Sequence, residues 1–285
     1  MILVTGAAGK TGQAVIRALL SRKSIVRAFV RSQSEADIVT SIGVGSVTVG
    51  DFQDSAALRV ACQGIEKIYH ICPNAANDEK EIGERILSVA VQQKVDHFVY
   101  HSVLHPQVEA MPHHWQKMRV EEMIFASGID FTIIQPCAYM QNILGGWKQI
   151  TEKGRYTVPY STSARISVVD LRDIGEAAAR VLTLPGHRNA IYECCGPQSL
   201  NQIEVAEIIS SCIGRPVSPM KEDLSIWQRN AEKSGLGRYA IDTLTSMFQY
   251  YDKYGFTGNP GVLENILGRK PENLHDFITW YNQST

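Results

Sequence analysis

The sequence predicts a doubly wound α/β domain, built on a parallel sheet covered on both faces, with a smaller, mostly helical C-terminal lobe. Three observations predict it. The chain begins with an apolar run, Ile2 to Val4, followed by glycines at 6, 9 and 12 and a helix-like run from Gln13 to Leu20. Strand and helix patterns then alternate, and the strands are apolar throughout, as strands buried on both faces must be. After Cys194 the alternation stops and helical patterns take over.

The glycine stretch reads Thr5-Gly6-Ala7-Ala8-Gly9-Lys10-Thr11-Gly12. Strand, glycine turn and helix together form the context of a dinucleotide-binding loop. Glycine permits the tight turn and a close approach of backbone to pyrophosphate. The amides that open the next helix then face phosphate charge. Gly6, Ala8, Gly9, Lys10, Thr11 and Gly12 are therefore expected to bind cofactor. The spacing is G-x-x-G-x-x-G and not G-x-G-x-x-G, so the downstream residues carry part of the argument.

Composition sets bounds. A 285-residue chain with 44% hydrophobic residues can bury a full core, and a net charge of -1 gives no footprint for a nucleic-acid partner. The six cysteines form no C-x-x-C pair, and no Cys/His spacing resembles a metal site. The vicinal pair Cys194-Cys195 reads as strand packing. No apolar run is long enough to span a membrane, and the opening strand leaves no room for a secretory signal. A cytoplasmic, reducing setting is the expectation.

Next in order come a helix with Val15, Ile16, Leu19 and Leu20 on one side and a strand from Ile25 to Val30. About 20 residues after such a loop, NAD-binding folds place an acid on the ribose hydroxyls. Here Arg31 stands there, and a guanidinium suits a 2′-phosphate, favouring NADP(H). A third strand, Ser46 to Val49, ends in Gly50-Asp51-Phe52. Asp51 could accept from an adenine amino group or cap the helix near Ser55. A fourth strand, Lys67 to Ile71, ends in Cys72-Pro73-Asn74, where proline breaks the strand beside the expected cofactor. Helix Glu79 to Gln93 and strand His97 to Tyr100 follow, the latter closing in His101-Ser102. Right-handed crossovers then give a doubly wound, Rossmann-type sheet, whose ligands sit at the C-terminal ends of its strands. Gly6, Arg31, Asp51, Pro73 and Ser102 all fall there.

The helix His113 to Ala126, with Pro112 ahead of it, carries Lys117. Then come strand Phe131 to Ile134, the segment Pro136 to Tyr139, loops at Gly145-Gly146 and Gly154, and a short strand Ile166 to Val169. Asp170 is placed to cap helix Leu171 to Leu184. Strand Ile191 to Cys194 precedes a capping-box reading of Ser199-Leu200-Asn201-Gln202, with helices at Asp223 to Lys233, Tyr239 to Tyr250 and Leu274 to Tyr281. The division expected is 1–150, with 163–195 returning to the sheet, and 196–285 as the substrate-side lobe.

The Tyr-x-x-x-Lys pair of the main short-chain dehydrogenases is missing: no tyrosine has a lysine four residues on. His113 stands in the tyrosine position before Lys117. These two are the catalytic candidates, His113 as a proton donor near neutral pH and Lys117 as a cofactor-holding cation. The structural alternative for Lys117 is a surface pair with Glu121. Ser102 lacks the context of a nucleophile elbow. His101, His105, His113 and His114 show no metal-ligand spacing, so no metal is expected.

These pieces in this order resemble the NmrA-like family of atypical short-chain dehydrogenases. The matching residues are Thr5-Gly6-x-x-Gly9-x-x-Gly12, Arg31, Gly50-Asp51, His113-x-x-x-Lys117 with Glu121, and Pro136-Cys137 with Tyr139 to Asn142. The stretch Ile166 to Asp173 and Gly268-Arg269-Lys270-Pro271 with Phe277 also match. The resemblance implies NADP(H) as cofactor, Lys117 in contact with it, and Tyr139 and Asn142 at its nicotinamide end. It implies either an NADPH-dependent reductase of conjugated or aromatic acceptors (quinone, enone, imine or natural-product carbonyl) or an NADP(H)-sensing regulator acting through a protein partner. A nucleotide-sugar epimerase would need the absent tyrosine. Trp115, Tyr139, Trp147, Tyr156 and Trp227 are the candidate pocket walls. The expected partner is a small molecule, with neither nucleic acid nor membrane, and a homodimer is left open.

Overall fold

The structure is a computed structural model and describes residues 1–284. In chain order its first half alternates β1 (Ile2–Val4), α1 (Lys10–Ser21), β2 (Val26–Val30), α2 (Gln33–Ser41), β3 (Ser46–Val49), α3 (Ser55–Cys62), β4 (Lys67–His70), α4 (Glu79–Gln92), β5 (His97–His101), α5 (Pro112–Ala126) and β6 (Phe131–Pro136). Then come β7 (Ala138–Tyr139), a 3-10 stretch Met140–Gly146, α6 (Trp147–Lys153), β8 (Arg155–Val158), β9 (Ile166–Val169), α7 (Leu171–Thr183) and β10 (Ala190–Cys194). The last part holds β11 (Gln198–Leu200), α8 (Gln202–Ile213), β12 (Ser218–Lys221), α9 (Leu224–Lys233), α10 (Arg238–Tyr254), α11 (Gly261–Leu267) and α12 (Leu274–Ser284).

The chain divides into two compact units. The first comprises Met1–Gln107, His114–Gln135 and Leu171–Tyr192, and the second Val108–His113, Pro136–Asp170 and the chain from Glu193 onward. A seven-stranded sheet runs in the order β10-β6-β5-β4-β1-β2-β3, and its ladders from β3 through β6 are parallel. The order reverses between β1 and β4, which makes the C-terminal ends of those strands the switch point of a doubly wound sheet. Apolar strands such as β1, with three fully buried residues, are what a sheet covered on both faces requires. Leu3, Phe29, Ile68, Phe98 and Tyr100 centre the core.

The second unit carries helices α8 to α12 and two small sheets, β11-β9-β7 and β12-β8. An aromatic ladder packs it: Trp227 meets Phe248 edge-on at 4.8 Å, and Tyr160 lies 6.0 Å from both Phe248 and Tyr251. Among the described residues no helix is long and apolar enough to cross a membrane.

Several boundaries differ from expectation, each for a local reason. β2 begins at Val26, one residue later than expected, with Ile25 exposed ahead of it. The unforeseen α2 is short and mostly polar, and is started by Ser32, whose Oγ accepts from the Glu35 N–H. Asp54, not Asp51, caps α3, taking the Ala56 and Ala57 amides. Pro112 is itself the first residue of α5, the position where its missing N–H costs nothing. The capping box lies two residues later than the sequence suggested. Asn201 accepts from Ile203 and Glu204, and Glu204 returns the bond to the Asn201 N–H, while Ser199 and Leu200 join β11.

Candidate active site

The loop after β1 is a backbone-shaped cradle. Gly6 has φ +57°, the left-handed region, and an added Cβ would lie 3.0 Å from Ile71. A Cβ on Gly12 would stand 2.4 Å from the Gly6 carbonyl oxygen and 2.7 Å from Ala7, so only glycine lets α1 start this close to the turn. The Gly9 N–H closes the turn on the Gly6 carbonyl at 3.1 Å. Gly9 is also the N-cap of α1 and makes no side-chain cap bond. The helical ladder begins with Gln13 N–H to Gly9 O, so the amides of Lys10, Thr11 and Gly12 precede it. That donor set, at the positive end of a twelve-residue helix, fits a phosphate. Thr5 locks the loop to β4: its Oγ1 lies 2.9 Å from His70 Nδ1 and accepts from the Ile71 N–H at 3.0 Å.

Parallel pairing of β1 with β2, and of β2 with β3, puts Arg31 and Gly50-Asp51 at neighbouring strand ends. The Arg31 side chain is 64% exposed, hence open to a ligand. Its Nη2 donates to Glu35 Oε1 at 2.9 Å and its backbone N–H to Glu35 Oε2 at 2.8 Å. Asp51 is exposed and its Oδ1 accepts from the Gln53 N–H. Phe52 points into the core, edge-on to Phe29 at 5.4 Å and to His70 at 5.6 Å. Cys72 is buried in the same cluster, and burial pushes its thiol far up. Pro73 is half-buried beside it.

Lys117 is buried in the first unit. Its Nζ donates to Glu79 Oε1 at 2.6 Å and to the His101 carbonyl at 3.2 Å, and sits 5.4 Å over the Tyr100 ring. Glu79 Oε1 also accepts from the Tyr100 hydroxyl at 2.9 Å. Glu121 is not a surface partner of Lys117: it is buried, accepts from Ser102 Oγ, and takes Gln135 Nε2 at 2.9 and 3.0 Å. Burial raises the Glu121 carboxyl, against the lowering effect of those bonds. Burial, reinforced by Lys117, lowers His70 and His101 to about 3, so both are neutral imidazoles. His101 Nδ1 lies 2.7 Å from the Tyr69 hydroxyl.

The sequence pointed to Thr5, Ser102 and Glu121 but not to Glu79, Gln135 or the bonds that join them. A signal for Glu79 existed. It shares one helical face with Ile82, Gly83, Ile86, Leu87 and Ala90, all buried, so the pattern placed a carboxylate in the core. In α5, Lys117 and Glu121 likewise share a face with Val120 and Ile124.

The second unit holds the remaining candidates. His113 is half-buried in the first turn of α5. Tyr139 is half-buried in β7, and Asn142 is exposed in the 3-10 stretch. Next to them Gln141 Nε2 donates to Asp170 Oδ1 at 2.9 Å. Among the candidate aromatics, Tyr156 donates its hydroxyl to Gln202 at 2.8 Å and Trp147 meets Tyr281 edge-on at 5.4 Å, whereas Trp227 belongs to the ladder with Phe248.

The model of the NmrA-like family matches residues 1–282. The chain belongs to the NmrA-like family. NmrA-like relatives extend along its whole length: it is 28% identical over 279 residues to an NAD(P)H azoreductase of Xenophilus azovorans, covering 97% of this chain and 96% of that one. It is 25% identical over 281 residues to quinone oxidoreductase 2 of Escherichia coli, covering 98% of each. Among solved structures, the NADPH complex of the Escherichia coli NADPH-dependent quinone oxidoreductase superposes with a TM-score of 0.87 at 24% identity, over 99% of this chain and all of that one. The NADP(H) complex of Citrobacter triphenylmethane reductase gives 0.85 at 22% identity, over 98% and 99%. These similarities match the doubly wound architecture described above.

Proposed function

We propose that this NmrA-like protein is an NADPH-dependent reductase of conjugated or aromatic small molecules. The observation that carries the proposal is the combination of a phosphate-shaped loop, Gly6 to Gly12, with an exposed guanidinium, Arg31, at the adjacent strand end. In this reading the Lys10, Thr11 and Gly12 amides hold the pyrophosphate and Arg31 the 2′-phosphate. Lys117, oriented by its bond to Glu79, holds ribose oxygens. When bound, the dinucleotide supplies hydride. The protein supplies binding, orientation and a site shielded from water.

The acceptor class follows from a missing group. No tyrosine precedes Lys117 by four residues, and Tyr100, whose ring lies 5.4 Å from Lys117 Nζ, is buried with its hydroxyl on Glu79. Without that acid, the favoured acceptors spread the incoming charge themselves, as quinones, azo compounds and enones do. His113 or water delivers the proton. The names of the relatives, an azoreductase and a quinone oxidoreductase, support the same class. Incubating the protein with NADPH and a panel of quinones, azo dyes, enones and imines tests it. Acceptor-dependent oxidation of NADPH is expected for at least one class, and none above background would overturn it.

A further inference from the structure

The proposed 2′-phosphate ligand, Arg31, is not a lone cation. Glu35 lies one helical turn on, and its carboxylate folds back to the end of β2, bonding the Arg31 guanidinium at 2.9 Å and the Arg31 backbone N–H at 2.8 Å. Glu35 is fixed there by more than its partner. Its own N–H donates to Ser32 Oγ, the cap of α2, and its side chain is 24% exposed against 64% for Arg31. Burial alone would raise its carboxyl, but the Arg31 amide, guanidinium and charge outweigh that and hold it below its ordinary value. It is therefore a standing negative charge at the strand end.

That strand end is where dinucleotide folds discriminate. A carboxylate there accepts from the free 2′-hydroxyl of NADH, and a guanidinium there binds the 2′-phosphate of NADPH. This chain presents both, on one another. A 2′-phosphate meets a neutral pair and must share Arg31 with Glu35, while a free ribose meets a built acceptor. We propose that Glu35 is a specificity-determining residue: it weakens the preference for NADPH and keeps the site open to NADH. This inference rests on the dinucleotide reading of the Gly6 to Gly12 loop and Arg31.

The test is a titration of NADPH and of NADH, followed by nicotinamide fluorescence, against the unmutated protein, Glu35→Gln and Glu35→Ala. Glu35→Gln keeps an acceptor for the Arg31 amide and removes only the charge. It should tighten NADPH about fivefold, and leave NADH unchanged or weaker. The gain should shrink as salt rises, since it is electrostatic and sits near the surface. Glu35→Ala, which also frees the Arg31 side chain, should move the ratio in the same direction, and thermal melts without ligand report any general loss of fold. If NADPH binds Glu35→Gln no better than the unmutated chain, or more weakly, Glu35 merely positions Arg31 and the inference fails while the dinucleotide reading stands. If the unmutated chain binds neither dinucleotide, both fail.

Discussion

Lys117 Nζ and Glu79 Oε1 lie 2.6 Å apart, in a setting where their side chains are 6% and 0% exposed. The pair joins α5 to α4 beneath the C-terminal ends of β4 and β5, and Tyr100 shares the same carboxylate oxygen. Taking two charges out of water is costly, and their attraction offsets that cost only while both are present.

Breaking this pair should destabilise strongly. Glu79→Leu takes the counter-charge from a buried ammonium and the Glu79 acceptor from the Tyr100 hydroxyl, and should lower unfolding free energy by about 3–5 kcal/mol. The double variant Glu79→Leu/Lys117→Met should recover a large part of that. Urea denaturation measures both. A single variant as stable as the parent would show that the ion pair carries no such penalty.

The loop makes a graded prediction. Gly12→Ala places a Cβ 2.4 Å from the Gly6 carbonyl oxygen, so backbone must move. It should cost about 1–3 kcal/mol in stability and weaken NADPH at least about tenfold. Gly9→Ala, whose Cβ would lie 3.3 Å from the same oxygen, should be milder in both respects. Calorimetry on the two variants checks the order, and a reversed order would count against a cradle shaped by Gly12.

Arg31→Ala should weaken NADPH about tenfold or more, because a charge-assisted contact is lost, and should change NADH less than about threefold. Paired titrations decide it. Equal losses for both dinucleotides would remove Arg31 from the 2′-phosphate.

Stability should fall in mild acid. His70 and His101 are lowered to about 3 and His97 to about 4, each chiefly by burial. They are neutral in the fold, whereas the unfolded chain protonates them near pH 6.5. Their contribution is therefore complete above about pH 6.5 and is lost as pH falls toward 3–4, at up to about 1.4 kcal/mol per pH unit for each group. Glu121, raised by burial, acts in the opposite sense as a single group. Urea midpoints should drop between about pH 7.5 and 5. Equal midpoints would contradict neutral, buried histidines.

Much of this was legible in the sequence, for identifiable reasons. The sheet was, because its buried strands, such as Ile2 to Val4, are mostly apolar and alternate with helices. The glycine turn was, because Gly6 takes a positive φ and Gly12 leaves no room for a Cβ. The burial of Lys117 was half legible: it shares a face with Val120 and Ile124, but its spacing to Glu121 equally describes a solvated helix pair. The deciding partner, Glu79, comes from another helix, 38 residues away in the chain. Phe52 stands at the expected strand end, yet its ring turns inward to Phe29, and a position in sequence does not state which way a side chain points. Asp51 and Ser199 lost their capping roles to Asp54 and Asn201 because a residue one to three places away had the better local geometry.

The most direct test of the account is the rate of NADPH oxidation with a quinone as acceptor, measured side by side on the unmutated protein and Arg31→Ala. The account predicts quinone-dependent oxidation that falls at least about tenfold in the variant at subsaturating NADPH. NADPH binding without acceptor-dependent oxidation by any quinone, azo dye, enone or imine would contradict it.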